Sequence, residues 1–154
     1  MHWKEKALEF ITSSKYADRI NYLLANPRLA TEKFQQDKGF GFSNCHGTVL
    51  YCLGLKIKDR PLFLSRSEME KILIENGRTS SGESNDESYE KSNIVTFWIS
   101  STLIHSALFL GQYKNWELIF HQRDTGEPFE ISRIDKYTEI YPFDFTVPFR
   151  IGKI

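Results

Sequence analysis

A chain of 154 residues that is 40% hydrophobic is long enough for one domain built on one core. Lysine plus arginine (20) equals aspartate plus glutamate (20), so no global basic field draws the protein to nucleic acid, although a local basic patch stays open. No apolar run approaches the roughly 20 residues needed to span a bilayer, and the charged start Met1-His2-Trp3-Lys4-Glu5-Lys6 lacks a signal peptide's apolar block.

The chain is therefore expected to be cytoplasmic as synthesised. Export by a route that reads no N-terminal signal, or origin as a piece of a longer protein, stays open. Residues 4 to about 25 carry a helical stripe through Ala7, Leu8, Phe10, Ile11, Tyr16, Ala17, Ile20, Leu23 and Leu24. Asn26-Pro27 reads as a break, or as a cap with proline at the first position of a second short helix. Residues 28–38 are polar and ambiguous, and Gly39 and Gly41 open a loop that leads to Asn44-Cys45. An apolar, helix-competent run follows, ending near Gly54. Ser65 and Glu68 form a capping-box pattern for a helix through Met69, Ile72, Leu73 and Ile74, with Gly77 as its terminal glycine.

Residues 78–92, rich in serine, glycine and acidic side chains, read as a mobile loop. From Asn93 the period changes to that of strands. These are expected at Ile94–Ile99, Leu103–Leu110, Trp116–Gln122 and Phe129–Ile134, with a fifth within Ile140–Ile151 beside Pro142 and Pro148. Helices first and an antiparallel meander second predict an α+β fold in a single domain, 1–154, with 1–38 as a helical N-terminal extension.

The two cysteines, Cys45 and Cys52, are seven residues apart. On one helix they share a face at roughly 10 Å, too far for a disulfide, and their spacing does not suit a metal site. Free thiols fit a reducing compartment. A thiol in the first turn of a helix meets unpaired N–H groups and the positive end of the dipole, which favour thiolate. If Leu103–Leu110 is a strand, His105, Ala107 and Phe109 share one face. If the next strand pairs with it as a hairpin, His121 lies beside His105. That geometry suggests Cys45 as nucleophile, His105 as base and His121 as the group that orients the base. The plainer reading of each residue is packing: a cysteine before an apolar run is usually a small buried hydrophobe. Cys52 reads as core, and His46 as a neighbour that shapes the site rather than the base.

Four short segments resemble, in order, the motifs of the NlpC-like cysteine peptidases, a branch of the papain-like fold. Asn44-Cys45-His46-Gly47 stands for that family's Asp-Cys-Ser-Gly at a helix start. Asn93-Ile94-Val95-Thr96-Phe97 stands for its first strand, His105-Ser106-Ala107-Leu108-Phe109-Leu110-Gly111 for its His-Val-Gly-Ile-Tyr-Leu-Gly, and Leu118-Ile119-Phe120-His121 for the strand ending in Ile-His-Ala. The segment Pro61–Arg66 falls where the family carries a Pro/Arg stretch before its second helix.

The resemblance implies a papain-like fold and a thiol hydrolase that cuts an amide bond through an acyl-enzyme. Cys45, His105 and His121 would be catalytic, with Asn44 and His46 as oxyanion-side neighbours and the Cys45 N–H as a candidate donor. Phe40 and Phe42 stand where the family has a tyrosine. No cofactor and no metal are implied. The implied substrate is a peptide or muropeptide, cut at a peptidoglycan stem peptide, with an inhibitory partner protein if the enzyme is a delivered toxin. Two other classes stay open: a papain-like acyltransferase, deamidase or protease effector acting on a lipid or host protein, and a non-catalytic binding module on the same scaffold.

Overall fold

The computed structural model describes residues 16–36, 39–55, 60–78 and 93–152. The expected helix before Tyr16 and the expected loop 79–92 lie outside these residues. Helix α1, Ala17–Ala25, buries Ala17, Ile20 and Leu23, a spacing of three that puts them on one face. Pro27 then starts a 3₁₀ turn, Pro27–Ala30, where its missing N–H costs no bond. The ambiguous stretch that follows forms a hairpin, β1 (Phe34–Gln36) against β2 (Gly39–Gly41).

Helix α2, Cys45–Leu53, is buried from Cys45 through Cys52. A helix buried on every side belongs between layers, and α2 packs between α1 and the sheet. Gly54, left-handed at φ 74°, ends it as the sequence suggests. Helix α3, Arg66–Asn76, begins with the expected reciprocal Ser65–Glu68 capping box. Its end differs from expectation. Gly77 is extended (φ −88°) and starts the two-residue strand β3, Gly77–Arg78. Glycine is needed there for space, because a β-carbon would lie 2.6 Å from the Leu73 carbonyl oxygen.

Strands β4 (Ile94–Ile99), β5 (Thr102–Tyr113), β6 (Trp116–Gln122) and β7 (Phe129–Arg133) form the expected meander. The fourth strand ends at Arg133, one residue before the expected Ile134, and the stretch left unassigned between Ile134 and Ile140 is a short helix, α4 (Ile134–Ile140). Strand β8, Phe145–Ile151, returns beside β4, giving an antiparallel sheet in the order β3-β8-β4-β5-β6-β7. Pro148 sits in β8 beyond the reach of β3, which pairs only with Arg150 and Ile151, so this stretch has a partner on one side alone. The fold is thus α+β, with no helix among the described residues long and apolar enough to cross a membrane.

Both faces of the sheet are covered. The larger core joins Ile94, Leu103, Leu108, Leu118 and Phe120 to α1, α2 and α3. The smaller joins Val95, Phe97, Ala107, Phe109 and Ile119 to Ile134 and Tyr137 of α4. A register slip in β5 decides which side chains meet which layer. Phe97 pairs with His105 and Trp98 with Leu103, so Ile104 is the extra residue of a bulge. Leu103 therefore faces the helices, whereas His105 faces α4.

Candidate active site

Asn44 fixes the start of α2. Its Oδ1 accepts the N–H of Gly47 at 3.1 Å and that of Leu64 at 3.0 Å, while its Nδ2 donates to the Leu64 carbonyl at 2.7 Å. One side chain thus caps the helix and holds the 62–64 segment against it. Gly47 allows this approach, because a β-carbon there would fall 1.6 Å from the Leu62 carbonyl oxygen. Behind it, Ser43 Oγ and Thr48 Oγ1 both donate to Gln122 Oε1, at 2.9 and 3.0 Å, and Gln122 Nε2 donates to the Glu127 carbonyl at 3.0 Å. The cysteine loop, the helix and the end of β6 are one hydrogen-bonded unit.

The thiol meets β5 where that strand loses its neighbour. Phe109 N–H donates to the Asn93 carbonyl on the β4 side, so alternation points the Ser106 N–H toward β6. The β5–β6 ladder reaches only to the pair Leu108–Phe120. In place of β6, the Cys45 sulfur lies where the Ser106 N–H, and the N–H groups of His46 and of Cys45 itself, favour thiolate. Cys45, His105 and Tyr137 line one cleft of about 600 Å³. Among the described residues no hydrogen bond joins thiol to imidazole in this resting arrangement.

His105 and His121 lie together, as the hairpin reading expects. His105 Nε2 is 2.8 Å from His121 Nδ1, and His121 Nε2 is 2.8 Å from Ser132 Oγ. His46 sits apart from this line, with Nδ1 2.7 Å from Ser106 Oγ on the helix side of β5. Asn44 and His46, expected on the oxyanion side, thus have side chains engaged in holding the helix and β5. The sequence reading missed Tyr137. Its ring packs on His121 at 4.8 Å, on His105 at 5.2 Å and on Phe97 at 5.3 Å between centroids. A tyrosine facing the site therefore comes from α4, after the sheet, and not from the loop before the cysteine.

The strands are antiparallel, so the β4–β5 turn, the β6–β7 turn and the start of β8 all fall at one end of the sheet. The cleft lining there joins the apolar Ile99, Ile104, Pro142 and Phe143 to the charged Arg66, Arg123, Asp124 and Glu127, and Arg123 Nη1 donates to the Tyr141 hydroxyl at 3.4 Å. Among the described residues no group of three His, Cys, Asp or Glu side chains is placed to hold a metal ion.

Burial sets the charge state. It lifts the Cys45 thiol to about 11, outweighing the three N–H groups that favour thiolate. The thiolate expected from the helix start is therefore overruled by desolvation at a position only 7% exposed. Burial also lowers His105 well below its usual range, helped by the neighbouring His121 and His46, and it lowers His121. The resting site is a neutral thiol beside neutral imidazoles.

His46, lowered by burial to about 4, makes this measurable. The unfolded chain binds a proton near pH 6.5 that the folded chain refuses until about 4, so stability is full above 6.5 and declines as pH falls through that window. His46 alone accounts for about 3 kcal/mol of that decline. Urea unfolding between pH 7.5 and 4.5 is expected to show the loss, with a smaller one in His46→Gln. An equal slope in both proteins would refute the assignment.

Comparison of the chain with protein-family models, curated proteins and solved structures finds no match, so the functional reading rests on this geometry and on the order of the four motifs.

Proposed function

We propose that this protein is a papain-like thiol hydrolase that cuts an amide bond through a thioester acyl-enzyme. The observation that carries the reading is that Cys45, at a helix start, and His105, whose ring reaches His121 at 2.8 Å, open onto one cleft. In the first half-reaction the Cys45 sulfur attacks the carbonyl carbon while His105 takes the thiol proton. The C–N bond then breaks and His105 returns that proton to the leaving amine. In the second, water attacks the thioester, His105 takes its proton, and the proton goes back to sulfur as the acid leaves. The neutral resting pair makes His105 a general base during attack and not the partner of a standing thiolate.

The resemblance to NlpC-like peptidases points to a peptidoglycan stem peptide as substrate. A second reading has an observation of its own: Ile99, Ile104, Pro142 and Phe143 give the cleft that holds the thiol an apolar part that suits an acyl chain, as in an acyltransferase. A mass-spectrometric screen separates the two. Purified protein is incubated with muropeptides and, separately, with medium-chain acyl thioesters plus an amine. New amino termini in the muropeptides support the first reading, acyl-amide product supports the second, and neither product in either arm contradicts both.

A further inference from the structure

The line of close contacts does not stop at His121. Strand β7 runs beside β6 in a register that sets Glu130 opposite His121 and Ser132 opposite Ile119, on the α4 side of the sheet. His121 Nε2 therefore faces two oxygens: Ser132 Oγ at 2.8 Å and Glu130 Oε1 at 3.6 Å. The same Glu130 oxygen lies 2.8 Å from Arg123 Nε, an ion pair without hydrogen-bond alignment that favours the charged form of this carboxylate.

We propose that Glu130 and Ser132 are positioning residues that fix the tautomers of both histidines. This rests on the hydrolase reading for its functional consequence, but not for its geometry. A serine hydroxyl alone accepts or donates, and would leave His121 free to carry its proton on either nitrogen. A carboxylate only accepts. Its charge beside Nε2 puts the His121 proton there and leaves Nδ1 as a lone pair. At 2.8 Å, that lone pair is satisfied only if His105 carries its proton on Nε2. The Nδ1 of His105 is then the unprotonated nitrogen, the one a general base needs. In the opposite pattern every proton in the line moves over. His121 Nε2 would turn a lone pair toward the Glu130 carboxylate, and His105 would carry its proton on Nδ1, unable to accept another there. The negative charge at the far end thus selects the competent state of a ring two contacts away.

Two neighbours sharpen the choice. Tyr137 packs edge-on to His121 and limits rotation of the ring about its own axis. Arg123 bears on Glu130, so its loss would act through the same carboxylate.

Nitrogen-15 NMR of the histidine rings tests this without any substrate. In the wild-type protein at pH 7.5, His121 Nε2 and His105 Nε2 are expected to give pyrrole-type signals, and both Nδ1 atoms pyridine-type signals. In Glu130→Gln the His121 signals are expected to move toward mixed values, and in Ser132→Ala to move less, with Ser132→Thr restoring the wild-type pattern. Where turnover is measured, Glu130→Gln is expected to lower kcat about tenfold or more with KM nearly unchanged, as for a misplaced tautomer in other triads. A wild-type His121 protonated on Nδ1 overturns the proposal, as does an unchanged pattern in both Glu130→Gln and Ser132→Ala. The expected tautomers in a protein that turns over no amide would support this assignment and count against the hydrolase reading alone.

Discussion

Cys45→Ala is expected to lower the proposed amide hydrolysis by at least about 10⁴-fold while the fold persists, because removing the proposed nucleophile of a coupled site leaves only binding and oxyanion contributions. The side chain lost is small, and the cap on α2 belongs to Asn44 and not to the thiol. Circular dichroism and the urea midpoint should therefore stay close to wild type. Cys52→Ala provides the contrast. Cys52 lies on the same helix at 2% exposure, packed in the larger core among residues that do not line the Cys45 cleft. Its loss is expected to cost stability through a small cavity and to leave turnover intact. Equal activity in Cys45→Ala and wild type would remove the nucleophile from the account.

Gly47→Ala is expected to have the largest effect on stability. The added methyl would have to sit 1.6 Å from the Leu62 carbonyl oxygen, a backbone atom on a segment tied to Asn44 by two hydrogen bonds. No rotamer relieves that overlap, so either the helix start or the 62–64 segment must move. A cost of about 3 kcal/mol or more follows from overpacking plus loss of the cap. A fall in the urea midpoint at unchanged slope would register it. Any folded fraction should also be inactive, since the displacement carries Cys45 with it. A midpoint within about 1 kcal/mol of wild type would mean that the close approach is absent in solution.

Much of this site was legible from local pattern. The apolar run after Cys45, Gly54 at its end and the Ser65–Glu68 box mark two helices by short-range chemistry, and three strands show their β-branched and aromatic content plainly. His105 and His121 could be paired from two strand assignments and one hairpin. What was not legible depends on contacts between distant segments. Helix α4 is seven residues long, and its β-branched ends, Ile134 and Ile140, read as the close of one strand and the start of the next stretch. Tyr137 was missed with it. The bulge at Ile104, which turns His105 toward α4, leaves no local sign. Hairpin β1–β2 is too short to show a period. The expected thiolate failed for the same kind of reason: a helix start is visible in sequence, but the burial that outweighs it is a property of the assembled layers.

In the proposed reaction His105 acts on the Cys45 thiol. The rate of Cys45 alkylation by iodoacetamide, followed by peptide mass spectrometry at pH 7.5 with Cys52 as internal reference, tests it most directly. Cys45 is expected to react about tenfold faster than Cys52 or more, and His105→Asn is expected to slow Cys45, and not Cys52, by about tenfold in a protein that remains folded. A Cys45 that reacts no faster than Cys52, or whose rate is the same in wild type and His105→Asn, would contradict it.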